Sequence, residues 1–241
     1  MLDDRAFAAA AGTLGCPLSS EQLDRFRRYE ARLQDWSGRV RLVSRGDRDR
    51  LRERHFLDCL AVVPYLARVP FRLLDLGSGA GLPGIPIKIA RPDVHVDLLE
   101  ATRMKALFLR DIRDELGMGG LEVIRARAEG VAQKAAYRAA YQVVSIRGVG
   151  PLPLLWALAA PFLQPGGVLV AFKGPGALSE FGDAPPAGVT ATEQVLRVPT
   201  LKRARAFVFV GFEGGKVNRW RASVARGCSE RGKRGRRTAW W

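Results

Sequence analysis

Apolar residues recur at helical spacing near the start of the chain. Leu23, Phe26, Tyr29, Leu33 and Trp36 form a stripe, with Arg25, Arg27, Arg28 and Arg32 elsewhere on the surface. Ser19 and Ser20 stand where that helix would begin, and Gln22, three residues after Ser19, completes a capping box. A second helix is expected from about Arg48 to Leu66, bearing Leu51, His55, Leu60 and Val63. The pattern then changes to βα units. Phe71, Leu73, Leu74 and Leu76 make a strand-length run between Pro70 and Gly77. Ile85, Ile87, Ile89 and Ala90 continue as a buried helix, and Val94–Glu100 reads as the next strand. Met104, Leu107, Phe108, Ile112 and Leu116 mark a helix that Gly117 ends, before strands over Leu121–Ala126 and Tyr141–Ile146. Leu152–Leu163 reads as a helix stopped by Pro165-Gly166-Gly167, and Val168–Phe172 as the fifth strand. Residues 175–188 read as a loop around a short helix, and Val189–Val198 with Arg205–Phe212 as a closing antiparallel hairpin.

This alternation predicts an α/β fold: a mostly parallel, doubly wound, Rossmann-like sheet with a helical N-terminal extension. The expected boundaries are 1–68 for the extension, 69–213 for the ligand-binding core, and 214–241 for a tail. That tail has little apolar content before Trp240 and Trp241 and is expected to be disordered when free.

The turn after the first strand carries the most chemistry. Gly77, Gly79, Gly81 and Gly84 crowd it, so that a ligand can approach the backbone closely. Pro83 or Pro86 can occupy the first helical turn, where a missing N–H costs nothing. Gly79, Gly81 and Gly84 satisfy GxGxxG, which alone would suggest a dinucleotide. Asp75 argues otherwise, because a carboxylate beside a pyrophosphate is repelled in a poorly solvated cleft. It suits a cationic ligand such as S-adenosylmethionine, which offers a sulfonium and an ammonium. Glu100 should end the neighbouring strand, where a carboxylate can accept both hydroxyls of a ribose. The order D-x-G-x-G-x-G with Glu one βα unit later resembles class I methyltransferases, which implies S-adenosylmethionine as the cofactor. A nicotinamide enzyme, or a glycine turn with only a structural task, are the other readings. In such a sheet the ligand lies outside the carboxyl ends of the strands. Asp75, Gly77, Glu100, Ala128, Glu129, Arg147 and Lys173 all fall at that edge.

Composition narrows the partners. The formal charge is +15, and from Gly214 onward there are nine Lys/Arg and one Glu. The remainder is basic too, which points to a polyanion; an Arg-rich, solvated surface accounts for the scatter but less well for the cluster Arg231–Arg237. Cys16, Cys59 and Cys228 are odd in number and scattered, so neither a disulfide framework nor a zinc site is expected. Nothing reads as a signal peptide or a membrane span, and a cytoplasmic protein is expected.

DLGSGAGLPGIPIKIARP (Asp75–Pro92), preceded by RHFLDCL (Arg54–Leu60), closely resembles the ribosomal small-subunit methyltransferase G family, also called glucose-inhibited division protein B. Leu98–Leu109, Arg127–Glu129, the strand ending at Arg147, Phe172–Gly174 and Val198–Arg205 add to the match, which runs from about Leu18 to Phe212. The resemblance implies a cytoplasmic bacterial enzyme that methylates N7 of one guanine in 16S rRNA, in the loop near the decoding site. It implies that Gly77, Leu82, Ala128, Glu129 and Arg147 contact the cofactor, beside Asp75, Gly79, Gly81 and Glu100 from the motif. The chain departs from the family pattern at Arg41-Leu42-Val43 (usually Asn-Leu-Thr), at Cys59 (usually Ser) and at Gln142 (usually Asp). The first two departures bear on RNA docking.

Guanine N7 has an available lone pair and no proton, so its methylation needs no general base, and no catalytic acid or base is assigned. Proximity and in-line alignment suffice. His55 is expected to bond a neighbouring loop and His95 to be structural. Asp75 either binds the amino-acid end of the cofactor or braces the glycine turn. Arg147 can touch cofactor or RNA; Lys173 and Arg205 can hold phosphates or be solvated surface. The expected partner is 16S rRNA or the small ribosomal subunit, with no membrane, no metal and a monomeric protein. The rival from another class is an RNA-binding module on a vestigial methyltransferase fold, and the enzymatic rival is a methyltransferase acting on protein or a small molecule, against which the net charge and family motifs argue.

Overall fold

A computed structural model describes residues 2–148 and 150–215. The basic tail read from the sequence lies, beyond Gly215, outside the described residues. Seven strands form one sheet in the order β3-β2-β1-β4-β5-β7-β6. They are β1 (Arg72–Leu76), β2 (His95–Glu100), β3 (Leu121–Arg125), β4 (Tyr141–Arg147), β5 (Leu163–Lys173), β6 (Val189–Leu196) and β7 (Arg205–Phe212). The first five run parallel, while β7 is antiparallel to both β5 and β6. This is the doubly wound α/β sheet expected, with its hairpin at one edge.

The helices are α1 (Asp4–Thr13), α2 (Ser20–Trp36), α3 (Leu57–Leu60), α4 (Gly84–Ala90), α5 (Arg103–Leu116), α6 (Ala128–Ala132) and α7 (Leu152–Ala159). Alternation along the strands assigns the two faces. Leu73, Val96, Leu98, Val143 and Val170 join a cluster with α1 to α5, including Phe7, Phe26, Tyr29 and Phe56. Leu74, Leu99, Val144, Leu169 and Val208 join another with Leu155, Trp156 and Ala159 of α7.

The capping box of α2 forms as read: Ser19 Oγ accepts from Gln22 N and Gln22 Oε1 from Ser19 N. Its arginine face docks as well as solvates. Arg32 pairs with Glu115 at 2.9 Å, and Trp36 Nε1 donates to Asp111 at 2.9 Å, tying α2 to α5.

Several elements differ from the sequence reading, α6 among them, where no helix is expected. Helix α1 is capped by Asp3, whose carboxylate accepts from Ala6 N at 2.7 Å, but its Ala-rich face buries only Phe7 and Ala11, too few apolar positions to register as a stripe. The helix expected over 48–66 is a series of short pieces: a 3₁₀ turn (Arg45–Arg50), a π turn (Arg52–Phe56), α3, and a 3₁₀ turn (Val63–Tyr65). Pro64 cannot supply the N–H an α-helix would use there. The helix expected to reach Leu163 ends at Ala159, because Pro161 likewise lacks a donor, and Ala160–Phe162 tightens to 3₁₀. Strand β5 starts at Leu163 rather than Val168 and takes Pro165-Gly166-Gly167 within it. The pairing shifts register between Tyr141 and Val143, and a Cβ on Gly167 would lie 2.9 Å from the carbonyls of Gln164 and Tyr141. Glycine there lets the irregular strand close against β4.

Candidate active site

The parallel register places Asp75 beside Ser145 of β4, and both are buried. Asp75 Oδ1 accepts from Ser145 Oγ at 2.9 Å, and Oδ2 accepts from Gly84 N at 3.1 Å. Of the two tasks open to this carboxylate, bracing the turn is the one its contacts display. Burial is the main cause of its pKa rising to about 6, against which the hydrogen bonds from Ser145 and Gly84 pull downward. Gly77, Gly79 and Gly81 all have positive φ (75°, 56° and 84°). A Cβ on Gly81 would collide with Ile85 Cδ1, and one on Gly84 would meet Leu98 Cδ2 at 2.6 Å and Asp75 Cβ at 2.9 Å. Those two glycines serve close packing of α4 on the sheet. Gly79 differs: the nearest atom to its Cβ position is Gly77 O at 3.8 Å, so that face of the turn is open.

Glu100 ends β2, as expected, and is nearly buried. Its Oε2 accepts from Gly79 N at 3.0 Å and its Oε1 from Thr102 N at 2.7 Å. Each oxygen retains a second lone pair.

A cleft of about 680 Å³ opens beyond the turn at the carboxyl edge of the sheet. It brings together Gly77, Gly79, Leu82, Arg147, Lys173 and Arg205, six of the residues singled out from the sequence. Asp75, Gly81 and Glu100 stand behind the turn. Ala128 and Glu129 begin α6 after β3 and are not part of this lining. Sequence reasoning did not place Leu42, Val43 and Lys105 at the cleft, although they line it, and gave Asp58 no role.

Asp58 organises the arginine side. It is fully buried, and Arg205 grips it with two hydrogen bonds of 2.7 Å, Nε to Oδ1 and Nη2 to Oδ2. Arg147 Nη2 lies 3.2 Å from the same Oδ2 and donates to His55 Nδ1 at 2.8 Å. The bidentate bond to Asp58 raises the Arg205 pKa further. Burial chiefly, then the Arg147 charge, drives the His55 pKa down to about 4, although Asp47 Oδ2 stands 3.4 Å from Nε2. The imidazole is therefore neutral at pH 7, with its Nδ1 lone pair committed to Arg147 and its proton on Nε2. It bonds neighbouring elements, the task expected of it. Lys173 Nζ pairs with Glu180 at 2.7 Å and donates to Gly150 O at 3.0 Å, so its charge is partly met by protein. Of the departures from the family pattern, Val43 lines the cleft and Cys59 Sγ lies 3.8 Å from Arg147 Nη1. Gln142 is at the far end of β4, accepting from Arg72 N.

Comparison with known families decides what this geometry belongs to. The family model described as rRNA small subunit methyltransferase G matches residues 22–208. The chain belongs to that family. A ribosomal RNA small subunit methyltransferase G from Streptococcus thermophilus is 37% identical over 180 residues, covering 74% of this chain and 76% of that protein. One from Moorella thermoacetica is 32% identical over 225 residues, covering 93% and 85%. Among solved structures, a predicted O-methyltransferase from Agrobacterium tumefaciens superposes with a TM-score of 0.50 at 21% identity, over 65% of this chain and 79% of that one. The last agreement concerns the fold. Among the described residues, no helix is long and apolar enough to cross a membrane, and no group of three or more His, Cys, Asp or Glu could hold a metal ion.

Proposed function

We propose that this chain transfers a methyl group from S-adenosylmethionine to N7 of a guanine in 16S rRNA. The observation that carries the reading is the cleft itself, where the family's glycine turn faces two arginines fixed on one buried carboxylate. The open face above Gly79 and the remaining lone pairs of Glu100 suit the adenosine of that cofactor, with Glu100 taking the ribose hydroxyls. Gly77, Leu82, Ala128, Glu129 and Arg147 are the other assigned contacts, on the strength of their positions in the family motif. Asp75 serves them by fixing the turn, and with Gly81 it acts from behind. The bound cofactor supplies an electrophilic methyl on a sulfonium.

The protein's own part is positional. Guanine N7 brings a lone pair, so no residue need remove a proton, and none in the cleft is poised to do so. His55 is neutral but its free lone pair is already bonded to Arg147. Arg147 and Arg205 present positive charge to the RNA backbone, and Lys173 extends that rim, while Leu82 and Phe172 give the cleft apolar wall. Holding N7, methyl carbon and sulfur in line is worth far more than any proton transfer here. The major groove of an RNA helix is deep and narrow, so the guanine must come from a loop. The working form we assign is a cytoplasmic monomer acting on 16S rRNA or the small subunit.

Mapping N7-methylguanine in 16S rRNA from cells with and without the gene tests this directly. One methylated guanine should vanish with the gene and return with purified protein and S-adenosylmethionine. An unchanged map, or a protein that binds no S-adenosylmethionine, would refute the assignment, and the second result would favour an RNA-binding module on a vestigial fold.

A further inference from the structure

Beside the main cleft lies a second concavity of about 610 Å³, walled by the loop that follows α2. Arg39, Arg41, Arg45 and Arg48 line it, and it contains no acidic side chain. This sets it apart from the arginines of α2 itself. Arg25, Arg27, Arg28 and Arg32 each meet an Asp or Glu within 4.0 Å. None of the four concave arginines forms an ion pair among the described residues. The nearby Asp47 is engaged elsewhere, with Arg54 at 2.8 Å and the Ser44 hydroxyl at 2.7 Å.

The loop is also held in shape. Arg48 Nη2 donates to Ser37 O at 2.6 Å, and Arg39 lies over the Trp36 ring, 5.9 Å from its centroid. Arg48 Nε is buried and has no hydrogen-bond partner among the described residues. Four cations are thus gathered on a braced turn without an ion-pair partner among the described residues, and their self-repulsion favours an arriving anion. The turn adjoins the site: Leu42 and Val43 line the main cleft, while Arg41 and Arg45 on either side of them line the second.

We propose that this concavity is a subsite for the RNA backbone, taking phosphates next to the nucleotide whose base enters the main cleft. Arginine suits the task, because its planar fork binds phosphate oxygens in pairs. The phosphates set register while the main cleft reads the base. The inference rests on the reading of the chain as an rRNA methyltransferase and specifies where that RNA is held.

The test uses the full chain carrying Arg39→Ala, Arg41→Ala and Arg45→Ala together, leaving Arg48 to brace the loop. Binding to deproteinised 16S rRNA is measured from 50 to 200 mM salt, with single-turnover methylation and S-adenosylmethionine affinity alongside. Each phosphate contact contributes roughly 0.7 to the slope of log K against log salt for single strands, so losing three should flatten it by about 2. Affinity at 50 mM salt should fall at least about tenfold, with the saturated rate, the cofactor affinity and the methylated position unchanged. The matching triple Arg→Lys variant should keep most of the slope. A parental slope and affinity in the Ala variant would overturn the subsite. So would loss of rate or cofactor affinity alone, which would mean that the loop merely shapes the main cleft. A defect confined to the intact small subunit would also overturn it, in favour of an acidic protein surface. If the parent chain itself fails to methylate 16S rRNA, the functional reading falls instead, and the two failures stay distinct.

Discussion

One wall of the main cleft is the glycine turn after β1, held by its own backbone and by two carboxylates, Asp75 on β1 and Glu100 at the end of the neighbouring β2. The opposite wall carries Arg147 and Arg205, and both hang on a single carboxylate, Asp58, from a distant part of the chain. On the first wall, Gly77 N and Ser78 N donate to Leu99 O, Gly81 N donates to Ser78 O, and Asp75 and Glu100 take Gly84 N and Gly79 N. Removing any one of these leaves the others. On the second wall the geometry converges on the two oxygens of Asp58, with His55 as a further partner of Arg147 alone. Redundancy thus protects the glycine turn, while the arginine wall, assigned to the RNA and through Arg147 also to the cofactor, leans on one hub.

Asp58→Ala should therefore give the largest effect. Breaking a buried ion pair by deleting one partner costs about 3–5 kcal/mol, because the remaining charge is left without compensation. Here two guanidinium groups would lose it. Chemical denaturation should show a loss of that order, with cofactor affinity in the surviving folded fraction falling only by what Arg147, one of its assigned contacts, contributes. A loss under about 1 kcal/mol would mean that the two arginines find water or each other's partners, and the hub would dissolve.

Gly81→Ala and Gly79→Ala probe the turn from its two sides. At Gly81 a methyl group drives Ile85 out of place and meets a φ of 84°, for a destabilisation of about 2–4 kcal/mol. At Gly79 the methyl group enters open space at φ 56°, so stability should fall by only about 1–2 kcal/mol. S-adenosylmethionine affinity should nevertheless suffer more at Gly79, since that methyl points where the cofactor is proposed to lie. Thermal unfolding and calorimetry on the pair measure both. Equal cofactor affinity in the parent and Gly79→Ala would place the cofactor elsewhere.

Glu100→Ala tests how much redundancy the turn has. Loss of the ribose contacts should weaken S-adenosylmethionine binding about ten- to hundredfold, or roughly 1.5–3 kcal/mol. The fold should persist, because Leu99 O still holds Gly77 and Ser78. Unfolding of this variant under native conditions would show that Glu100 is structural first.

The two walls were not equally legible in the sequence. Glycine spacing encodes positive φ and close packing locally, so the turn, Asp75 and Glu100 could be placed from about thirty consecutive residues. The Asp58–Arg205 pair joins positions 147 apart, and no local pattern announces it. The π turn just before α3 compounds the difficulty, because a helical projection through His55 and Asp58 assigns them to the wrong faces. The strands were legible for their apolar runs. The early start of β5 was not, since Pro165-Gly166-Gly167 carries a turn signal that pairing with β4 overrides.

The smallest net effect sets the walls against each other through pH. Asp75 has a folded pKa near 6, above its ordinary value of 3.8, so between those values the native state holds a proton that the unfolded chain has lost. Its contribution to stability is present below pH 3.8 and lost as pH rises through 6. His55 runs the other way. Its folded pKa of about 4 lies below the ordinary 6.5, so the unfolded chain holds the extra proton, and stability is lost as pH falls from 6.5 toward 4. At about 1.4 kcal/mol per unit, each amounts to roughly 3 kcal/mol with opposite sign, and across pH 4 to 6 they largely cancel. These two groups should thus leave the parent's stability nearly flat there. Asp75→Asn removes one slope and should leave stability rising by about 3 kcal/mol from pH 4 to 6.5. His55→Gln, which can still accept from Arg147, should leave it falling over nearly the same range. Urea midpoints at half-unit steps of pH distinguish these outcomes. Parallel profiles for the two variants would show that neither group is perturbed in the folded state as its burial requires.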